Sequence, residues 1–249
     1  MAAKNRTLYL DRPAIQQQIA RAFHTATAGV VAQTSGTTKL AMESRLRIIV
    51  QGAEAKGAGV VADLRAKSRL GVNHKEQVAV LAVDMRASTE LAKAHTADEM
   101  FVLIQCFIPL MAFVAKELAG EVIGLRGDGL IAAFGFGEDK WGPCINRAYE
   151  AGMLMIEAHH DELVPFLSSR GYPTAKGLGV GVDSGLATVT KIGLGEALEV
   201  TAYGSAVNSA AKHSKLLNQL WLSSSANRRL HREDHAATFT PKKNRLREE

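Results

Sequence analysis

The stretch that decides the fold is VAVLAVDMRAST, residues 78–89. It begins with an unbroken apolar run, which is typical of a β-strand buried on both faces, and then reaches an acid, Asp84. A carboxylate in this place is held on a rigid element, and carboxylate oxygens are good ligands for divalent cations. We therefore predict a buried strand over 77–83, with Asp84 as a candidate functional group at its end.

A second stretch repeats this arrangement. It is GLRGDGLIAAF, residues 124–134, in which a Gly-Asp-Gly turn separates two apolar segments. Such a turn between apolar segments is typical of a β-hairpin, so we predict Asp128 at the hairpin tip. Two acids raised on rigid elements can together hold two divalent cations against a polyphosphate, which is what two-metal phosphoryl chemistry requires.

The composition is that of an ordinary globular protein. The chain has 249 residues, of which 47% are hydrophobic and 22% charged, enough for one domain of catalytic size with extra segments. Its two cysteines, Cys106 and Cys144, are far apart and fit neither a disulfide framework nor a zinc site. We see no secretion signal and no run of eighteen apolar residues, and therefore expect a cytoplasmic protein without a membrane span.

The net charge of +5 arises largely from the last stretch, residues 228–247. A solvated basic tail explains this excess better than nucleic-acid binding does, because aromatic residues make up only 6% of the chain and no stacking platform accompanies the basic residues. Nucleic acid is therefore not expected as a partner.

The chain divides into three predicted parts. Residues 1–74 are expected to be a helical accessory segment, with a break at the small polar residues 32–38. Residues 75–228 are expected to be the catalytic domain, and residues 229–249 a basic tail. Inside the domain, alternating strand and helix patterns predict an α+β fold with a mixed sheet. The expected helices span 96–118, 141–167 and 205–217, and the expected strands 77–83, 121–125, 130–134, 177–182, 186–192 and 220–222.

Four segments of the domain, in this order, carry a family resemblance. They are VDMRAST (83–89), GDGL (127–130), GVDSG (181–185) and YGSAVNSAAK (203–212). Across roughly residues 76–228 the chain resembles the catalytic domain of class III nucleotide cyclases, the adenylate and guanylate cyclase family. The resemblance implies a ferredoxin-like, palm-type domain with a mainly antiparallel sheet and flanking helices, and a reaction that converts a nucleoside triphosphate to a 3′,5′-cyclic nucleotide and pyrophosphate.

The resemblance also implies the residues of the site. Two divalent cations, Mg²⁺ or Mn²⁺, would be bound by Asp84, Met85 and Asp128. Asn208 would orient the ribose, and Lys212 stands where the family usually has Arg, so it supplies charge without the planar fork of a guanidinium. These two residues are four apart and share a helix face. In this family the acids and the Asn/Arg pair meet across a head-to-tail homodimer, which implies composite sites here.

The residues that would read the base depart from the family pattern. Adenylate cyclases place a Lys four residues before the second metal Asp and an Asp or Thr seven before the Asn, whereas this chain has Gly124 and Thr201; the Glu of guanylate cyclases is absent too. Strand alternation lets Arg126 fill the space at Gly124. The pattern resembles the pyrimidine cyclases of anti-phage signalling, so we expect UTP as substrate. The implied substrate-binding residues are Ser88, Thr89, Arg126 and Thr201.

Two alternatives stay open. The first is an adenylate cyclase that makes cyclic AMP. The second is a nucleotide-binding sensor without catalysis, which the departures at Gly124 and Lys212 would fit but which needs no second metal-binding acid. The metal-capable run 159–162, at the end of an amphipathic helix, is interpreted as solvated polar surface.

Overall fold

The structure, a computed structural model, describes residues 11–34, 74–136, 141–192, 199–215 and 220–222. The predicted basic tail and most of the accessory segment beyond its first helix lie outside these residues. The helices are α1 (Arg12–Thr34), α2 (Ser88–Ala94), α3 (Ala97–Glu117), α4 (Trp141–Ala158), a π-helical turn (His159–Leu163), α5 (Val164–Ser168) and α6 (Ser205–His213). The strands are β1 (His74–Met85), β2 (Gly120–Arg126), β3 (Gly129–Phe134), β4 (Leu178–Ile192), β5 (Glu199–Tyr203) and β6 (Leu220–Leu222).

Strand β1 is the centre of the sheet. It pairs antiparallel with β3 on one side and with β4 on the other, in the order β2-β3-β1-β4-β5, and β6 pairs parallel to β4. Since β1 has neighbours at both edges and helices on both faces, residues 78–83 are at most 2% exposed. The buried central strand is confirmed. Strands β2 and β5 also contact each other, so the sheet curls towards a barrel.

The two faces of the sheet are covered unequally. Helices α3 and α4 pack on one face, and α1 packs on the outside of α3. Among the described helices, α6 covers the other face, through the small residues Ala206, Val207 and Ala210. Side chains of β1 alternate between the two cores, so that Val80 and Ala82 lie beneath α6 while Leu81 and Val83 lie beneath α3 and α4.

Helix α3 begins and ends within one residue of the predicted bounds. Its capping box is present, because the Glu99 amide donates to Thr96 Oγ1 over 3.2 Å and the Thr96 amide donates to Glu99 Oε2 over 2.8 Å. The left-handed residue after the helix is Ala119 (φ 58°), and Gly120 follows it as the first residue of β2. Gly120 is needed for packing, since a Cβ there would overlap the ring of Phe134.

Helix α3 also has the length and composition of a membrane-spanning helix. It has 21 residues, and its most apolar window has a mean hydropathy of 1.7. Eight of its side chains, from Val102 to Ala115, are buried in the core. It is the one helix of this kind in the described ranges, and core helices of globular domains commonly have this composition.

The expected break at residues 183–185 is wrong. Instead of two strands, β4 runs without interruption over 15 residues, and Asp183, Ser184 and Gly185 pair with Val80, Ala79 and Val78 of β1. The long partner strand supplies a continuous ladder, which overrides the local turn preference of Asp-Ser-Gly. One short strand, β5, was not predicted, and α6 ends at His213 rather than at residue 217.

A π-helical turn interrupts the long helix expected over 141–167. The Val164 amide donates to the His159 carbonyl, a spacing of five residues. Pro165 follows immediately, and in a regular α-helix its ring would clash with the carbonyl four residues earlier. The wider turn therefore accommodates Pro165. It also places His159 in the core at 4% exposure, so the interpretation of this run as solvated surface is wrong for His159.

Replacing His159 by glutamine is expected to reduce the loss of stability in acid. Burial, with a smaller contribution from His160, lowers the pKa of His159 from 6.5 to about 4. The unfolded chain therefore takes up this proton first, and stability falls as the pH drops below 6.5. At pH 5 the loss is about 2 kcal/mol relative to neutral pH. Urea denaturation of the wild type and of His159→Gln at pH 7.5 and pH 5 measures the difference.

The matched control is His160→Gln, because His160 is exposed and lies beside Asp161 at the surface. Its variant should lose nearly as much stability in acid as the wild type does, because His160 makes only the smaller contribution to the lowered pKa of His159. An equal acid loss in the His159→Gln variant would contradict the assignment.

Candidate active site

Asp84 lies at the end of the central strand, on the α6 side of the sheet. It pairs with Gly129 of β3 and with Gly179 of β4. The alternation that buries Val83 beneath α3 and α4 turns Asp84 to the other face, where it is partly buried. Its position is thus fixed by ladders on both sides.

Asp128 lies at the tip of the β2–β3 hairpin, as predicted. The turn consists of Gly127 and Asp128, and Gly127 has a φ of 63°, which favours glycine. The hairpin tip lies directly against Asp84, since a Cβ on Gly129 would come within 2.9 Å of Asp84 Oδ1 and 2.7 Å of the Val83 carbonyl oxygen. Glycine at 129 therefore allows the two acidic segments to approach each other.

The electrostatics of the pair agree with this proximity. Burial and, next, the carboxylate of Asp128 raise the pKa of Asp84, while Lys215 and Arg86 act in the opposite direction. Asp128 Oδ2 is buried and accepts no hydrogen bond from the described part of the chain. A buried carboxylate oxygen without a donor is costly, and a hard divalent cation would satisfy it. The two acids therefore fit a cation site, although no cluster of three or more such ligands occurs among the described residues.

Met85 cannot use its side chain in this site. That side chain is 3% exposed and packs in the core beneath α3 and α4, on the face opposite Asp84. A contribution of Met85 to a cation would have to come from its main-chain carbonyl oxygen.

Ser88 and Thr89 form the start of α2, directly after the acidic strand. The residue before them, Ala87, has a left-handed conformation with φ 58°, which is uncommon for a residue with a side chain. Among the described residues, no side chain caps the first turn of α2. Its amide N–H groups are therefore available to an anion such as phosphate.

The residues expected to read the base are divided between the two faces. Gly124 pairs with Ile131 and Arg126 with Gly129, which places both on the face of Asp84. A Cβ on Gly124 would have no neighbour within 4 Å among the residues that the structure describes, and Arg126 is exposed. Thr201 pairs with Thr190 of β4. The next residue, Ala202, is buried beneath α6, so the side chain of Thr201 lies on the opposite face of the sheet. The register thus does not bring Thr201 and Gly124 to one face.

Asn208 and Lys212 lie on the exposed side of α6. The helix buries Ala206, Val207 and Ala210, and both polar residues are exposed on its outer side. The spacing of four residues gives them one shared face, as the sequence indicated.

Two basic residues near the acids were missed. Lys215 follows Lys212 by three residues and Asn208 by seven, a spacing that could have drawn attention to it. Arg86 donates through Nη1 to the Lys215 carbonyl oxygen over 2.9 Å and through Nη2 to the Ser214 carbonyl oxygen. This contact joins residues 129 positions apart, so no local pattern predicts it.

Solved structures with a similar fold are nucleotide cyclase domains. The adenylyl cyclase CyaB from Pseudomonas aeruginosa matches with a TM-score of 0.58 and 20% identity, over 65% of this chain and 83% of the other. The guanylyl cyclase Cya2 matches with a TM-score of 0.58 and 21% identity, over 64% and 80%. A class III adenylyl cyclase-like ATP-binding protein from P. aeruginosa matches with a TM-score of 0.58 and 16% identity, over 65% and 36%. The chain therefore has the cyclase-like fold that the sequence predicted.

Sequence comparisons find relatives without an assigned activity. No family model matches the chain. Uncharacterized proteins of Mycobacterium bovis and of two strains of Mycobacterium tuberculosis are 27% identical over 152 residues, which is 61% of this chain. The chain spans about a quarter of the length of these curated relatives.

Proposed function

We propose that this protein is a nucleotide cyclase, which converts a nucleoside triphosphate into a 3′,5′-cyclic nucleotide and pyrophosphate. The observation that carries the proposal is the acid pair: Asp84 and Asp128 approach each other on a cyclase-like fold, and Asp128 Oδ2 has no donor within the described residues. A domain that only bound nucleotide would have no need of a second acid here.

The chemistry requires a ribose 3′-oxygen to attack the α-phosphorus while the bond from the α-phosphorus to the bridging oxygen of pyrophosphate breaks. Divalent cations, Mg²⁺ or Mn²⁺, bound by Asp84 and Asp128 would supply the positive charge that acidifies the 3′-hydroxyl and stabilises the leaving pyrophosphate. The main-chain amides at Ser88 and Thr89 would hold phosphate oxygens. Asn208 would orient the ribose, and Lys212 would neutralise charge that develops in the transition state.

We propose a head-to-tail homodimer with two composite sites. The support is the position of Asn208 and Lys212, which are exposed on the outer face of α6 in the described part of the chain. A second copy docked there would bring this pair to the other chain's acids.

For the base we propose a pyrimidine, with UTP preferred. Gly124 presents no side chain, and no other described residue fills the space beside it on the face that also carries Arg126 and Asp84. This chain thus has no side chain where adenylyl cyclases have the Lys that binds the purine. The Arg126 guanidinium can occupy that space and donate a hydrogen bond to a carbonyl oxygen of a smaller base. The side chain of Thr201 lies on the other face of the sheet, so the proposed preference for a pyrimidine does not depend on it.

The expected product is a second messenger, and we place the reaction in the cytosol. Cys106 and Cys144 are both buried and free of disulfides, which suits a reducing compartment. A role in anti-phage defence is supported by the sequence resemblance alone.

Incubation with Mn²⁺ and each of the four nucleoside triphosphates in turn tests the reaction and the base together. We expect cyclic UMP as the main product, with pyrophosphate released in equal amount. The variant Gly124→Lys should shift the ratio of ATP to UTP turnover towards ATP by about tenfold or more, because an amine then meets the base edge. Product chromatography with mass detection measures both.

The matched control is Gly124→Ala, which adds a methyl group without a donor into the same open space and should leave the ratio unchanged. Cyclisation of ATP alone by the wild type would contradict the pyrimidine preference and favour the adenylate cyclase, which the likeness to CyaB supports equally. Nucleotide binding without release of pyrophosphate would favour a sensor, comparable to the ATP-binding protein of P. aeruginosa.

A further inference from the structure

Arg86 joins the acidic strand end to the end of the helix that carries Asn208 and Lys212. Its amide donates to the Gly177 carbonyl oxygen over 3.0 Å, which continues the ladder from β1. Its guanidinium donates through Nη1 to the Lys215 carbonyl oxygen over 2.9 Å and through Nη2 to the Ser214 carbonyl oxygen. One side chain thus binds both carbonyl groups that follow α6.

The path of this side chain depends on Gly179. A Cβ at Gly179 would overlap both the Arg86 guanidinium and the Ser214 carbonyl oxygen. A Cβ at Gly181 would likewise overlap the Ala210 carbonyl oxygen. The two glycines therefore let the end of α6 lie directly on β4, within reach of Arg86.

The chemistry of the contact is that of a helix C-terminus. The last carbonyl groups of a helix have no partner within it, and they form the negative end of its dipole. A guanidinium is always charged and presents a planar pair of donors, so it can hold two such carbonyl groups at once. Helix α6 needs this support, because it has only nine residues and its buried contacts are two alanines and a valine.

We infer that Arg86 is a positioning residue that fixes the exit of α6 to the strand end bearing Asp84, and so couples the two composite sites of the dimer. This inference rests on the proposed function. In a head-to-tail dimer, Asp84 of one chain serves one site while Asn208 and Lys212 of the same chain serve the other. Arg86 lies between Asp84 and α6 of its own chain. It aligns Asn208 and Lys212 for the composite site whose acids come from the other chain.

Mixed dimers with a single working site test this assignment. One chain carries Asp84→Ala and supplies Asn208, and the other carries Asn208→Ala and supplies Asp84. The change Arg86→Met is then added to one chain at a time, and dimers with two different tags are purified in tandem. On the chain that supplies Asn208, it should lower kcat by about tenfold to a hundredfold with little change in KM, since misplacement of catalytic groups acts mainly on the chemical step. On the other chain the effect should be much smaller.

The reverse pattern would overturn the inference, because it would show that Arg86 acts at the phosphates beside its own Asp84. Arg86→Lys should restore part of kcat, since an ammonium can reach one carbonyl oxygen but lacks the fork. Arg170→Met is the matched control: Arg170 also binds a carbonyl oxygen near a helix end, that of Phe166 at 2.9 Å, but on α5. It should leave kcat unchanged.

Hydrogen exchange provides a readout that needs no cyclase activity. In the wild type the Ser214 amide donates to the Ala210 carbonyl oxygen over 2.9 Å, and the Lys215 amide to that of Lys212 over 3.2 Å. Arg86→Met should speed the exchange of these amides by about fivefold or more, while amides of α3 stay protected. Unchanged exchange would overturn the inference. Mixed dimers that are inactive even with Arg86 intact, together with faster exchange in Arg86→Met, would count against the proposed dimer and leave the contact standing.

Discussion

Replacing Asp84 by asparagine should lower the rate of cyclic nucleotide formation by at least about a thousandfold, equivalent to about 4 kcal/mol of activation free energy. The amide keeps the shape of the side chain but removes the charge that holds a cation beside Asp128. Without metal, the variant should also melt at a higher temperature than the wild type at neutral pH. The reason is that burial and Asp128 raise the pKa of Asp84, so its ionised form is less favourable in the folded protein than in the unfolded chain.

Thermal melts with and without Mn²⁺ complete this experiment. Mn²⁺ should stabilise the wild type and leave the Asp84→Asn variant almost unaffected, and the stabilisation should weaken as the pH falls towards the raised pKa of Asp84. The matched control is Asp161→Asn, an exposed acid in the π-helical turn, which should keep wild-type activity and its response to Mn²⁺. Full activity in Asp84→Asn would disprove the cation site.

Mixing two inactive proteins, Asp84→Ala and Asn208→Ala, should restore about a quarter of the wild-type activity per chain. With random exchange, half of the dimers contain one chain of each kind, and one of their two sites then has an intact acid pair and an intact Asn208. The mixture is assayed after subunits have exchanged, over a range of mixing ratios. The activity should be greatest at equal amounts.

Each variant alone sets the baseline for this mixing experiment. A mixture of Asp84→Ala with Asp128→Ala is the negative control, because both changes fall in the same half of a composite site and no dimer of the two has a complete one. Activity in that control, or none in the first mixture at any ratio, would contradict a site shared between chains.

Much of the acidic half of the site could be predicted from local sequence. An apolar run that ends on Asp84, and an acid between two glycines at 127–129, each specify their own backbone through burial and turn chemistry. The antiparallel ladder then brings them together, since Asp84 pairs with Gly129. The helix that carries Asn208 was also predictable from its local sequence, although the residue at which it ends was not.

The failures come from contacts between distant residues. Asp183, Ser184 and Gly185 have the composition of a turn, yet the long strand β1 keeps them extended. His159 lies in a polar run that is typical of a surface. Pro165 requires a wider helical turn, however, and that turn places the imidazole of His159 in the core. Arg86 could not be assigned from sequence because its partners follow it by 128 and 129 residues.

The position of α1 determines on which side of the sheet an added module would be attached. Its residues Ile15 and Ile19 are buried with the α3 side of the molecule, and Arg12 and Gln16 bind Glu162. The acids and α6 lie on the other side of the sheet. A module, purification tag or surface tether joined directly to Arg12 would accordingly start on the α3 side of the sheet, opposite the face that carries Asp84 and α6.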